Sequence, residues 1–122
     1  MRLSQAVTDV LQVKDNLVLA VQEEGMFDFV DVVNFIGIAH YDTLPGLIKS
    51  YKTRLTTRAM QLAVADTNGF YFVAMSQAQA DVYTLKVMDE KFLAGKITTD
   101  FIEYEADKFL VTVNEDKYIY LI

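Results

Sequence analysis

Residues 58–75, RAMQLAVADTNGFYFVAM, carry the strongest structural signal in this chain. Two apolar runs flank the tetrapeptide DTNG, and Asn68-Gly69 between such runs is typical of a β-hairpin. A two-residue loop formed by that dipeptide would pair Val64 with Val73 on one face of the hairpin. Since the opposite face is also apolar, the sequence predicts two central strands that are covered on both sides.

The C-terminal tail predicts a meander of three strands, because three β-rich runs are separated by the turn segments EAD and NEDK. The runs are ITTDFIEY at 97–104, KFLVTV at 108–113 and YIYLI at 118–122. If Glu115-Asp116 forms the last loop, Val111 faces Tyr120 across the final hairpin.

Apolar residues recur at helical spacing in several other segments, which the pattern therefore predicts as helices. These segments are 3–12, 17–24, 28–39 and 44–55, followed by 76–92 behind the capping-box sequence SQAQ. Two of the segments also have an interpretation as strands. LVLAV at 17–21 is one continuous apolar run, and VYTLKVM at 82–88 is rich in valine, tyrosine and threonine.

The combined pattern predicts an α+β fold, with N-terminal helices packed on a C-terminal antiparallel sheet of about five strands and one inserted helix. At 122 residues the chain is long enough to bury a core of its own. No internal repeat, low-complexity segment or Pro/Gly/Ser-rich linker divides the sequence. We therefore expect residues 1–122 to form a single domain.

Composition restricts the chemistry of this protein. The chain has no cysteine, which excludes disulfides, thiolate metal sites and cysteine catalysis. Its apolar runs are far shorter than the roughly 20 residues that span a bilayer, and no signal-peptide pattern precedes them. The net charge of −6 disfavours duplex nucleic acid and anionic membranes as partners. We expect a cytoplasmic protein without a cofactor.

The segment HYDTLPG, residues 40–46, contains the only histidine and the only proline. His40 and Asp42 are weak catalytic candidates, since they could act as a base and its orienting acid. Polar residues beside Pro-Gly are also what a corner between two elements contains, and this is the interpretation that the sequence favours. One histidine and no cysteine predict no metal site, and neither a phosphate-binding loop nor a nucleophile motif is present.

Charge is segregated along the chain. Residues 15–42 hold six acids and no base, whereas residues 43–65 hold four bases and no acid. The four bases are the candidate anion- or partner-binding residues, Lys49, Lys52, Arg54 and Arg58. The interpretation that the sequence favours is internal compensation, in which these bases pair with the acids of 15–42 within or between subunits.

These observations favour a small, acidic, non-catalytic protein-binding or inhibitory module, which would occupy a basic partner surface as an inhibitor of phage type does. One alternative is a small enzyme or ligand-binding protein that recognises a phosphate- or carboxylate-bearing molecule. Another is a structural subunit of a homo-oligomer. We expect self-association, as a dimer, through a sheet face or edge in the C-terminal half, because those strands are apolar on both sides.

Overall fold

The computed structural model describes residues 1–41, 44–79 and 82–122, apart from the side chains of Tyr41, Ala78 and Val82. Within these ranges the chain forms eleven strands and one turn of 3-10 helix at Glu23–Gly25. The strands are β1 (Val7–Lys14), β2 (Leu17–Gln22), β3 (Met26–Asp31), β4 (Ile36–Tyr41), β5 (Ser50–Leu55), β6 (Gln61–Asp66), β7 (Gly69–Gln79), β8 (Val82–Phe92), β9 (Thr98–Glu105), β10 (Lys108–Val113) and β11 (Ile119–Leu121). Consecutive strands pair antiparallel in three meanders: sheet 1 (β1–β4), sheet 2 (β5–β8) and sheet 3 (β9–β11).

The α+β prediction is wrong, since the described part of the chain contains no α-helix. Segments 3–12, 28–39 and 44–55 overlap β1, the β3–β4 hairpin and β5, and the expected inserted helix overlaps the end of β7 and the whole of β8. The strand interpretations of 17–21 and 82–88 are confirmed as β2 and β8. Ser76, expected to cap a helix, instead hydrogen-bonds to the Thr84 hydroxyl directly across the β7–β8 ladder.

The helical spacing of apolar residues gave a wrong prediction for β2 and β3 because both strands are buried along almost their whole length. A strand covered on both faces carries apolar residues at successive positions, so a helical period can be found in it as readily as a period of two. The β-branched residues of these segments favour the extended backbone once neighbouring strands are available.

The β6–β7 hairpin is confirmed, but its register differs by two residues from the expected one. Asp66 pairs with Gly69, which leaves Thr67 and Asn68 as the loop, and Val64 lies opposite Tyr71. The Asp66 carboxylate accepts the Asn68 N–H at 2.9 Å and so begins the turn one residue early. A shift of two residues leaves every side chain on its expected face.

The three-stranded tail is also confirmed, as β9, β10 and β11. Val111 lies opposite Tyr120, as expected for a loop at Glu115-Asp116. The backbone N–H and C=O groups of Phe109 and Ile122 bond to each other at 2.9 and 3.0 Å, which extends the pairing to the last residue.

Sheet 2 is packed between the other two sheets. Leu62, Val64 and Val73 lie in one core cluster with sheet 1 side chains such as Leu19 and Phe27. The opposite face of sheet 2 forms a second cluster with sheet 3, built from Ala63, Ala65, Phe70, Phe101, Phe109 and Val111. The expected two-sided burial of the β6–β7 hairpin is therefore confirmed.

One backbone hydrogen bond recurs in all three sheets. The residue after the second strand of each sheet donates its N–H to the carbonyl of the residue before the first strand. The pairs are Glu23 to Ala6 at 3.1 Å, Thr67 to Lys49 at 3.0 Å and Asn114 to Ile97 at 2.8 Å. The donors follow one another at intervals of 44 and 47 residues. The first two strands of each sheet are thus closed by the same backbone hydrogen bond.

Candidate functional site

The first strands of the three sheets, β1, β5 and β9, lie next to one another, and β5 carries two of the predicted basic residues, Lys52 and Arg54. Asp9 on β1 accepts the Thr53 N–H at 2.8 Å and an Arg54 guanidinium N–H at 2.6 Å. On the other side of β5, Lys52 donates to Asp100 and to the Phe101 carbonyl, both at 2.8 Å. These contacts link β5 to both of its neighbours.

Each of the four candidate basic residues lies in an ion pair within the chain. The pairs are Lys49–Glu23 at 3.4 Å, Lys52–Asp100 at 2.8 Å, Arg54–Asp9 at 2.6 Å and Arg58–Asp107 at 3.1 Å. The hydrogen bond from Lys52 is the main cause that lowers the pKa of Asp100. Among the residues that the structure describes, only Lys49 pairs with an acid of the 15–42 segment, so most of this internal compensation uses acids outside that segment.

A cleft of about 520 Å³ lies between sheets 2 and 3 beside the Arg58–Asp107 pair. Its floor is apolar, with Phe72 and Phe109, and its rim adds the acidic side chains of Asp89 and Glu90. The cleft could accommodate a small molecule, yet nothing in its geometry selects a ligand chemistry.

His40 lies on β4, and its side chain joins a polar row on the outward face of sheet 1 rather than a corner. Its Nδ1 is 2.7 Å from a carboxylate oxygen of Asp28, which is directly opposite on β3. The fully buried Gln22 amide donates to the other Asp28 oxygen and accepts the Gln5 N–H at 3.1 Å. Asp42, the second catalytic candidate, lies outside the described residues. Asp28 and Gln22 were missed because they are 12 and 18 residues from the histidine in sequence.

The outward face of sheet 3 exposes several large apolar side chains. Its side chains lie in two rows across the strands, Ile102–Leu110–Leu121 and Asp100–Thr112–Ile119. Ile102, Ile119 and Leu121 are 55, 68 and 67% exposed, and a shallow groove of about 180 Å³ runs between the rows. The sequence indicated such a surface through its two-sided apolar strands, without selecting these residues.

A second exposed apolar surface is the β3–β4 turn, where Val33 and Phe35 are 67 and 59% exposed. Phe35 has a positive φ of 58°, which is uncommon for a bulky residue. Asp31 supports the turn by accepting the Val33 N–H at 2.9 Å. This turn was hidden from the sequence analysis because residues 28–39 were assigned to a helix.

No protein-family model, curated protein or solved structure matches this chain. In residues 1–41, 44–79 and 82–122, no helix is long and apolar enough to cross a membrane. The same ranges contain no group of three or more acidic or histidine side chains arranged to hold a metal ion. The surfaces described above are therefore the basis for a functional assignment.

Proposed function

We propose that this protein is a non-catalytic protein-binding module whose contact surface is the outward face of sheet 3. The observation that carries the proposal is the exposed apolar surface formed by Ile102, Ile119 and Leu121. Apolar patches of this kind on a folded domain mark sites of interaction with other molecules. The net charge of −6 argues against duplex nucleic acid and anionic lipid as the partner.

The recurring backbone hydrogen bond identifies equivalent positions in the three sheets. Two and four residues before the recurring N–H donor, sheet 1 has Val21 and Leu19, which face sheet 2. The corresponding residues of sheet 2, Ala65 and Ala63, face sheet 3. In sheet 3 these two positions are Thr112 and Leu110, which line the exposed groove. The outward face of sheet 3 therefore corresponds to the faces that receive the next sheet.

The arrangement of the sheets supports the same proposal. Antiparallel meanders that follow one another along the chain, with their first strands side by side, resemble successive blades of a β-propeller. In that architecture each blade covers a face of its neighbour. We infer that the natural occupant of the sheet 3 face is another apolar sheet, and the basic partner surface expected from the sequence stays an untested prediction.

Site-specific photo-cross-linking tests the proposal. A benzophenone amino acid replaces Ile119, or Ile48 as the control, because both isoleucines are exposed and Ile48 lies outside the sheet 3 face. In extracts of the producing cells, we expect a cross-link to a protein chain from position 119 that Leu121→Glu abolishes. Absence of any cross-linked protein at position 119, or equal cross-linking from position 48, contradicts the proposal.

A second candidate, a small enzyme or ligand-binding protein, is favoured by the His40–Asp28 pair. A half-exposed imidazole 2.7 Å from a nearly buried carboxylate is an arrangement that general acid–base catalysts use. Substitution His40→Ala separates the two candidates. A protein-binding module keeps partner binding within a few-fold, whereas an enzyme loses roughly a hundredfold in rate. A ligand panel in a thermal-shift assay supplies the substrate class if the enzyme interpretation holds.

A further inference from the structure

We infer that the partner of the sheet 3 face is a second copy of this chain, packed face to face about a two-fold axis. This inference rests on the proposed function, because it assigns an occupant to the same surface. The three sheets form a stack with sheet 2 in the middle, so its two ends are the outward faces of sheet 1 and sheet 3. These two faces differ in what covers them, and that difference determines how two copies can pack.

The sheet 1 end of the stack is covered by residues 1–6 of the chain itself. The Gln5 N–H bonds to the side chain of Gln22, which is fully buried. Met1 packs close to Gly37 on β4: its Cε is 3.7 Å from the point where a Cβ would lie if residue 37 had a side chain. On this outward face, Ala20 and Val30 are only 6 and 5% exposed. Another sheet could dock here only after displacing the N-terminal segment.

The sheet 3 end carries no such cover in the described residues. Ile102 and Leu121 flank Leu110 across the three strands, and Ile119 continues the apolar surface in the adjacent row. The only acid in these two rows is Asp100, whose carboxylate is 2.8 Å from Lys52. Two such faces can therefore meet without bringing two unpaired carboxylates together. Repulsion between like charges thus does not oppose contact between two copies of the chain.

A two-fold contact follows from these two ends. Head-to-tail packing would need the face that residues 1–6 occupy, and it would generate a ring or an open-ended filament. Packing of the sheet 3 face against the same face of a second copy needs no rearrangement and closes with two chains.

Sedimentation velocity of the purified full chain over a micromolar concentration series tests the inference. We expect the wild type to approach twice the 13.9 kDa chain mass. Ile119→Glu weakens the dimer at least about tenfold, since it places a charge in a desolvated contact. Ile119→Thr, which keeps a β-branched side chain, weakens it less. Ile48→Glu, the matched control outside the face, leaves the dissociation constant unchanged.

A wild-type chain that stays monomeric throughout the series overturns the inference. A series of oligomers larger than a dimer also overturns the inference. A dimer that Ile48→Glu disrupts as strongly as Ile119→Glu overturns it as well. Photo-cross-linking from position 119 separates this failure from that of the proposed function. A monomer that cross-links to a different protein overturns only the second copy as partner, whereas a monomer without any cross-linked protein overturns both proposals.

Discussion

Thr53 shows how one buried polar side chain affects the stability of this fold. It lies on β5 with no exposed surface, and its hydroxyl has no hydrogen-bond partner among the residues that the structure describes. A buried hydroxyl without a partner costs about 1–3 kcal/mol. We expect Thr53→Val, which keeps the shape and the β-branching, to raise the free energy of unfolding by about 1 kcal/mol in urea denaturation.

Thr98 is the matched control at this scale. It is also fully buried on a first strand, but its hydroxyl donates to the Lys96 carbonyl at 3.3 Å. Thr98→Val should therefore lower the free energy of unfolding by about 0.5–1.5 kcal/mol. If Thr53→Val is destabilising to the same degree, then the Thr53 hydroxyl makes a stabilising interaction in solution.

At the scale of elements, Asp66 joins the β6–β7 turn to the segment that enters β5. Its fully buried carboxylate accepts the Ile48 N–H at 3.1 Å, the Ser50 hydroxyl at 3.0 Å and the Asn68 N–H at 2.9 Å. We expect Asp66→Ala to cost about 2–4 kcal/mol, because it orphans several donors at once. Denaturant unfolding measures the loss. Asp89→Ala, at an exposed position of β8, should stay within about 0.5 kcal/mol of wild type.

The residue that precedes the recurring N–H donor differs among the three sheets. In sheet 1, Gln22 precedes the recurring donor and accepts the N–H of Gln5 with its side chain, as Asp66 does for Ile48 in sheet 2. In sheet 3 that position is Val113, which has no polar side chain. The backbone bond that closes the first two strands of each sheet needs only an N–H and a carbonyl group, so it forms with different side chains at this position.

At the scale of the whole molecule, several acids bind their protons more weakly in the fold. Hydrogen bonds lower the pKa of Asp31, through Asn34, and of Asp116, through Tyr120, while Lys52 lowers the pKa of Asp100. A lowered pKa means that the carboxylate stabilises the fold above its unfolded value, near 4, and that this stabilisation is lost as the pH falls through the lower folded value. We expect the free energy of unfolding to fall steadily from about pH 5 to pH 2.5.

Urea denaturation at a series of pH values checks the acid response. Asp100→Asn is the informative variant, since it removes one titrating carboxylate from the Lys52 pair and should make the acid-induced loss smaller. The pair is largely exposed, so its own contribution is about 0–1 kcal/mol. Stability that is constant or rises on acidification would contradict the assignment of these carboxylates as stabilising groups.

The amino-acid sequence by itself determined the two local features of this fold, the β6–β7 hairpin and the three-stranded tail. Both depend on neighbouring segments joined by short turns, and in such segments turn residues and apolar alternation set the pairing. Even there, the sequence predicted the β6–β7 register two residues off, because the Asp66 side chain captures the Asn68 N–H.

Only the tertiary structure decided the rest. Strands β2 and β3 could be identified only in the folded chain, because burial along almost their whole length removes the alternation that identifies a strand in sequence. Stacking of the sheets also selected the partners of the basic residues, such as Asp9 for Arg54 and Asp107 for Arg58, which are 45 and 49 residues apart. Contacts at that separation depend on how whole sheets pack, and no local spacing in the sequence encodes them.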